Sequence, residues 1–258
     1  MKKISIEKDW ILRQIPLQVD AKDALAFDSI RMVSEFVVFN YNYLCDALNQ
    51  FSNHEIKPPI SFIFMNIWGI IDSAGKLSRM IKLLGLTTIS ADVIAFFDDI
   101  YKVRNTFQHL DERIGEVFLP QQVPVLGFIT WINKTAEDEF KAYTVSSGLD
   151  VQGGLNFKVS FNSNNIHGVG IYELKLMTFV RNGAVTIAID EVVQKIIDVL
   201  NIIGKELFQR YQILFDNNII DGQRYSSGMS VSHTGYIDAD GSANFNSQLD
   251  IYVEGENQ

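Results

Sequence analysis

Apolar residues recur at intervals of three and four over four long stretches, and this spacing constrains the fold more than any other feature of the chain. It predicts helices over residues 21–51, 59–84, 90–114 and 190–217. Residues suited to helix ends stand at these boundaries: Asp20 or Asp23, Ser90 or Asp92, and Gly85. Residues 1–20 predict an irregular lead-in. Because the first three helices have short links, we expect an up-down bundle that the fourth helix completes.

The stretch between the third and fourth helices has a different pattern, with prolines and glycines separating β-rich runs. The runs cover residues 125–132, 142–145, 155–161, 170–180 and 185–189. Asn182-Gly183 predicts a tight hairpin turn. The fold class is therefore mainly α, a four-helix bundle with a small antiparallel sheet inserted between its third and fourth helices.

The predicted helices and strands divide the chain into three regions. Residues 20–116 and 190–216 form the helical bundle, and residues 117–189 form the inserted sheet. Residues 217–258 are a polar tail in which 230–236 and 247–253 could pair as a hairpin. The alternative is an α domain followed by a separate α+β domain.

Composition narrows the classes of function. The chain has 258 residues, 47% of them hydrophobic, and a net charge of -9. The negative charge argues against electrostatic binding of nucleic acid over a broad surface but allows a small basic site. A lone cysteine, Cys45, excludes an intramolecular disulfide. Acidic residues interrupt the start of the chain, so we expect no signal peptide. The most apolar run, 60–71, is too short to span a membrane. We expect a cytoplasmic protein without membrane contact.

The densest set of reactive side chains lies at Arg104-Asn-Thr-Phe-Gln-His109, late in the third predicted helix. Arg104 and His109 are separated by roughly 140° around a helix, whereas Asn105 shares a face with His109, as Arg104 does with Gln108. One histidine is a poor metal site, so we predict no metal and no cofactor. An arginine binds phosphate oxygens and a histidine moves protons near neutral pH. The cluster therefore predicts a phosphate site.

Arg-Asn-Thr-Phe-Gln-His resembles the R-x4-6-H motif of the HEPN superfamily, whose helical bundles carry it on the third long helix. The resemblance covers residues 20–115 and 190–216. It implies a homodimer and a metal-independent endoribonuclease, as found in toxins, abortive-infection proteins and CRISPR-associated nucleases. It also implies RNA as substrate, an antitoxin or defence protein as partner, and 2′-OH transesterification. The residues that it implies are Arg104, Asn105 and His109 for catalysis, with Gln108 and Arg113 as substrate contacts.

One residue departs from the family pattern. HEPN toxins that an antitoxin nucleotidylates often have a tyrosine two positions after the histidine, where this chain has Asp111, so we do not expect that regulation. Two alternatives stay open: a non-catalytic dimerisation module that binds a partner or nucleotide, and an ordinary polar helix end with His109 favoured by the helix dipole. Asp72, with its neighbours Lys76 and Arg79, is on the polar face of the second helix. It could face the motif across the bundle, but we expect it to lie on a solvated face.

Overall fold

The structure is a computed structural model that describes residues 3–6, 11–16, 19–53, 58–136, 139–148, 168–216, 223–225, 228–237 and 243–252. The protein is mainly helical and carries a small four-stranded antiparallel sheet. The sheet lies in sequence between the third long helix and the last one, as predicted.

The long helices have nearly the predicted bounds. They are α1 (Ala21–Asn53), α2 (Ile60–Leu84), α3 (Ala91–Gln108) and α6 (Ile189–Asp216). Asp20 accepts a hydrogen bond from the Lys22 N–H at 2.8 Å, and Ser90 accepts one from the Val93 N–H at 3.4 Å. Gly85 closes α2 in the left-handed conformation, with φ at 61°. The capping residues read from the sequence therefore do set these helix ends.

The third helix is shorter than predicted. It ends at Gln108, and His109 leaves the helical conformation with φ −107° and ψ 45°. The chain then continues through short helical turns to Gln121, so the prediction of one helix to residue 114 is wrong. These turns are α4 (Leu110–Arg113), a π-helical turn (Ile114–Phe118) and α5 (Leu119–Gln121).

The break at His109 has a reason in the packing. Val117, Phe118 and Val123 are buried in a small cluster of their own, against Phe179 of the sheet. A straight continuation of α3 would not bring these side chains to the sheet. Tertiary packing thus overrides the helical periodicity, and the first residues of the segment expected to be sheet are helical.

The sheet has the strand order β3–β2–β4–β5, and every neighbouring pair is antiparallel. Its strands are β2 (Phe128–Ala136), β3 (Glu139–Ser146), β4 (Gly170–Val180) and β5 (Gly183–Ala188). The predicted hairpin is confirmed, because β4 and β5 pair as neighbours, but its two loop residues are Arg181 and Asn182, and Gly183 is already the first residue of β5. The predicted run 155–161 lies outside the described residues.

Helices and sheet share one hydrophobic core. Its fully buried members include Phe27 of α1, Ile67 of α2, Phe97 of α3, Trp131 of β2 and Leu207 of α6. Further contacts bring α6 to the earlier helices: the Lys195 ammonium lies 4.9 Å from the Phe96 ring, and Thr88 bonds to Glu206. The sheet is therefore packed on the helices and is not an appendage without a shared interior.

Two strand pairs lie outside this sheet. β1 (Gln14–Pro16) pairs with β6 (Gln223–Tyr225), a contact that corrects the expectation of a wholly irregular lead-in. β7 (Gly228–Ile237) pairs antiparallel with β8 (Ala243–Tyr252), so the hairpin expected in the tail is present.

The start of α6 is tied to a β-bulge in β4. The pairing between β2 and β4 shifts register there, and Glu173 has a φ of 51°, unusual for a residue with a side chain. The Asp190 carboxylate accepts hydrogen bonds from the Leu174 N–H at 3.3 Å and the Tyr41 hydroxyl at 2.9 Å. Asp190 therefore holds the bulge, α1 and α6 together.

We expect the charge of Asp190 to make the free energy of unfolding depend on pH. Burial raises the pKa of this carboxyl above its ordinary value, although its two hydrogen bonds act in the opposite direction. The folded state then holds the proton more tightly than the unfolded state. The contribution of Asp190 to stability therefore falls as pH rises from about 4, the unfolded pKa, through the folded pKa.

Asp190→Asn removes this titration and replaces the carboxyl group by an amide of nearly the same shape. In urea denaturation, the stability of the variant relative to the natural protein should be more favourable at pH 7 than at pH 4. An equal difference at both pH values would contradict the assignment.

Candidate functional site

The outer edge of the contact between α2 and α3 is a ladder of side-chain pairs, and the two helices run antiparallel along it. Trp68 stacks on Phe107 with ring centroids 4.7 Å apart. Further along α2 come Asp72 with Arg104, Arg79 with Tyr101, and Lys82 with Asp98. Arg104 is thus one step in an interhelix ladder.

Arg104 is the most constrained residue of the motif. Its Nε donates to Oδ1 of Asp72 at 2.5 Å, and its Nη1 donates to Oε1 of Gln108 at 2.6 Å. The Tyr101 ring lies 5.5 Å from the guanidinium carbon. Only 12% of the side chain is exposed. The predicted shared face of Arg104 and Gln108 is confirmed, and Nη2 of Arg104 has no hydrogen-bond partner among the described residues.

A glycine on α2 makes room for this arginine. A Cβ atom placed on Gly75 would lie 2.8 Å from Cδ of Arg104 and 3.3 Å from Cδ2 of Tyr101. Any larger residue at position 75 would displace the arginine stem. The absence of a side chain there is therefore part of how the fold positions Arg104.

Asp72 faces the motif, so the expectation that it lies on a solvated face is wrong. It bonds to Lys76 at 2.6 Å as well as to Arg104. Burial raises the pKa of Asp72, but the hydrogen bonds from Lys76 and Arg104 outweigh burial and hold the pKa below its ordinary value. Asp72 is thus an anion at neutral pH and fixes the direction of the guanidinium.

His109 lies exposed at the junction between α3 and α4. Its backbone N–H donates to the Asn105 carbonyl at 3.2 Å, and its carbonyl accepts from the Arg113 N–H at 3.0 Å. Its imidazole forms no hydrogen bond or salt bridge with any described residue. The structure therefore leaves His109 free to meet a ligand and does not pair it with Arg104.

Asn105 faces a groove on the other side of α3. The groove has a volume of about 440 Å³ and lies between α3 and the tip of the β4–β5 hairpin. Arg113 also lines it, so two predicted site residues meet there, one helical turn on either side of His109 along the chain. The motif thus divides: Arg104 and Gln108 contact the α2 side, and Asn105 and Arg113 line the groove.

Two residues near the motif were not among the predicted site residues. Asp72 carries the arginine's counter-charge, and its only signal was a position on the polar face of α2. Arg181, in the hairpin turn, lies at the groove, and nothing in its local sequence indicates a neighbour 65 or more residues earlier.

A second, larger cavity of about 940 Å³ lies between β4 and the start of α6. Its acids have partners within the protein: Asp190 bonds to Tyr41, and Glu173 bonds to Lys175 at 2.9 Å. These two acidic side chains in the cavity lining therefore have a structural role. We therefore place the candidate site at the motif.

Within the described ranges, no three His, Cys, Asp or Glu side chains converge as a metal site would require. None of the described helices combines the length and hydrophobicity needed to cross a bilayer. Comparison with known families, curated proteins and solved structures finds no match to this chain.

Proposed function

We propose that the protein is a HEPN-type endoribonuclease that cuts RNA by 2′-OH transesterification without a metal. The observation that carries the proposal is the end of α3, where an anchored arginine precedes an exposed histidine set at a helix break. A fixed cation and a free proton carrier are what this chemistry requires.

Each residue has a role in the proposed step. The RNA 2′-oxygen attacks the adjacent phosphorus and the bond to the 5′-oxygen breaks, giving a 2′,3′-cyclic phosphate and a 5′-hydroxyl. His109 accepts the proton of the 2′-OH or donates one to the leaving 5′-oxygen. Arg104 stabilises the extra negative charge on the phosphoryl oxygens through Nη2. Asn105 and Arg113, which face the groove on the other side of α3, contact the RNA backbone beside the cut, and Gln108 is a further substrate contact on the Arg104 side.

The fold supports this proposal. α6 packs with α1, α2 and α3 in the shared core, which is consistent with a four-helix HEPN bundle. We extend the proposal to what the resemblance implies about setting: a cytoplasmic toxin or defence protein with an antitoxin or defence partner.

A homodimer is part of the proposal, because one imidazole cannot take and give a proton at the same instant. A set of exposed apolar side chains, which we call the apolar strip, lies on three neighbouring helices and includes Phe107 of the motif. It consists of exposed side chains between 37% and 60% accessible: Met32, Phe36, Phe39 and Tyr43 of α1, Met65 of α2 and Phe107 of α3. Exposed apolar patches on proteins in water are typical of protein–protein interfaces. A second copy related by a twofold axis would cover the strip and bring a second His109 close.

We expect Phe39→Glu to dissociate this dimer. Phe39 is 57% exposed in the single chain and packs on Tyr43 at 4.5 Å, in the middle of the strip. A charge buried there should weaken dimerisation by roughly thirtyfold or more, the effect of losing an interface hot spot. Light scattering coupled to size exclusion measures the change. Leu119→Glu, at an equally exposed apolar position outside the strip, is the control. A monomeric natural protein, or a dimer unaffected by Phe39→Glu, contradicts the assigned interface.

The proposal is tested by incubating purified protein with single-stranded RNA in EDTA and in Mg²⁺. We expect cleavage in both, at similar rates. Cleavage that EDTA abolishes would overturn the metal-independent mechanism. Cleavage activity that separates from the protein on a chromatography column would show that a contaminant is responsible.

A non-catalytic interaction module is the second candidate, and the Asp72–Arg104 pair is the observation that favours it. Asp72 neutralises the charge of Arg104, and only 12% of the arginine side chain is exposed. A role in holding α2 and α3 together is sufficient to explain an arginine in this state. Asp111 and Glu112 add exposed negative charge just after His109. If the protein is such a module, it should still form a dimer, and replacing His109 should not change any RNA cleavage that is measured.

A further inference from the structure

The tip of the β4–β5 hairpin brings a cation to the Asn105 groove. Arg181 of the tip donates to Glu116 from Nε at 3.2 Å and from Nη2 at 2.8 Å. Arg113 donates to the same carboxylate from Nη1. One glutamate therefore holds two guanidinium groups that come from opposite walls of the groove.

The groove is locally positive in an acidic chain. Three cations line or adjoin it, Lys102, Arg113 and Arg181, against two carboxylates, Asp99 and Glu116. Lys102 is paired with Asp99 at 2.7 Å. The second arginine on Glu116 therefore leaves an excess positive charge, whereas the whole chain has a net charge of -9.

The groove also has donors that the protein does not use. The described residues provide no hydrogen-bond partner for Nη1 of Arg181, for Nε or Nη2 of Arg113, or for the side-chain amides of Asn105 and Asn182. Guanidinium and amide N–H groups are the donors that bind phosphate oxygens. Glu116 remains charged, because the hydrogen bond from Arg181, supported by Arg113, lowers its pKa although burial acts in the opposite direction. It fixes both arginines without using all their donors.

We infer that this groove binds the phosphodiester backbone of single-stranded RNA, with Arg181 and Asn182 of the inserted hairpin as contacts next to the motif. The inference takes its substrate class from the proposed function. It gives the inserted sheet a role: the hairpin carries the far wall of the substrate groove. His109 follows Asn105 and precedes Arg113 by one turn each, so RNA in the groove would pass the exposed imidazole.

The test separates binding from cleavage. The probe is a fluorescein-labelled single-stranded RNA in which every ribose is 2′-O-methylated, so that no 2′-OH is present to attack phosphorus. Fluorescence anisotropy gives the Kd at several salt concentrations. We expect Arg181→Ala to raise the Kd about tenfold, as for loss of one hydrogen bond to a charged group. The slope of log K against log salt should fall by about 0.7, the value for one phosphate contact on a single strand.

A second variant is expected to act in the opposite direction. Glu116→Gln removes the carboxylate that competes with phosphate for both arginines, so the Kd should fall severalfold. A purely structural role for Glu116 would give weaker binding instead. Arg181→Lys should retain most of the affinity, and Lys22→Ala, at an exposed lysine near the start of α1, should leave the Kd and the salt slope unchanged.

The outcomes distinguish this inference from the proposed function. If Arg181→Ala and Glu116→Gln both bind with the natural affinity and salt slope, or if the natural protein does not bind the probe, the groove assignment is wrong. If the groove variants behave as expected but RNA with free 2′-OH groups is not cut, the groove stands and the proposed chemistry is wrong.

Discussion

If the proposed function holds, replacing His109 by alanine should lower the single-turnover rate of RNA cleavage by about 10²–10⁴-fold, the usual contribution of a general acid or base. The side chain is exposed and forms no hydrogen bond or salt bridge with a described residue, so we expect its loss to leave the fold intact. Rapid-quench assays with saturating protein measure the rate, and urea denaturation should give the same free energy of unfolding for both proteins.

The same change made at another histidine is the control. His233→Ala alters the C-terminal hairpin, to which the proposed chemistry gives no role, and should leave the cleavage rate unchanged. Equal cleavage by natural protein and His109→Ala would mean that the observed activity is contamination or uses another site. In that case the interaction module becomes the better account.

Replacing Trp131 by alanine lowers the free energy of unfolding by about 3–5 kcal/mol, the range for a large aromatic residue in a core. Trp131 is fully buried in β2, and its Nε1 donates to the Ser52 hydroxyl of α1 at 3.0 Å. Its ring stacks on Tyr143 at 5.0 Å. The residue therefore joins the sheet to the end of α1.

Far-ultraviolet circular dichroism in urea measures this effect on the helices. Because sheet and helices share a core, the helical signal of Trp131→Ala should unfold at a lower urea concentration in one transition. Trp131→Phe keeps a ring and loses the Ser52 bond, and should cost less. An unchanged helical midpoint in Trp131→Ala would indicate that the sheet is a separate folding unit, the arrangement of an α domain with a distinct α+β domain.

Local signals in the sequence were enough for the helices. Periodicity placed α1, α2 and α6 within a few residues, and Asp20, Ser90 and Gly85 marked ends that the structure confirms. The β4–β5 hairpin was also predictable, because Asn182 and Gly183 are adjacent residues typical of tight turns, although the loop itself is one residue earlier. These features depend on neighbours along the chain.

Features set by distant contacts were not predictable. The break at His109 follows from packing of Val117 and Phe118 on the sheet, although the apolar spacing continues through it. β1 pairs with β6 about two hundred residues later. The bulge at Glu173 has no glycine or asparagine to indicate its left-handed backbone.

The candidate site was predicted in its residues and not in its geometry. Arg104 and Gln108 lie together as the helical spacing requires. The sequence left open whether Asp72 faces the motif, and nothing in it indicates that Asn105 faces a different surface from Arg104. Both facts depend on how α2 and the hairpin approach α3, and a single sequence does not encode that approach in any local pattern.

The most direct measurement of the central claim uses an oligonucleotide with one ribose in an otherwise deoxyribose strand, incubated with protein in EDTA and analysed by mass spectrometry. We predict a single cut after the ribose, with a 2′,3′-cyclic phosphate on one fragment and a 5′-hydroxyl on the other. The all-deoxy strand should remain intact. Cleavage of the all-deoxy strand, fragments ending in 3′-hydroxyl and 5′-phosphate, or no cleavage at the ribose would contradict transesterification by this protein.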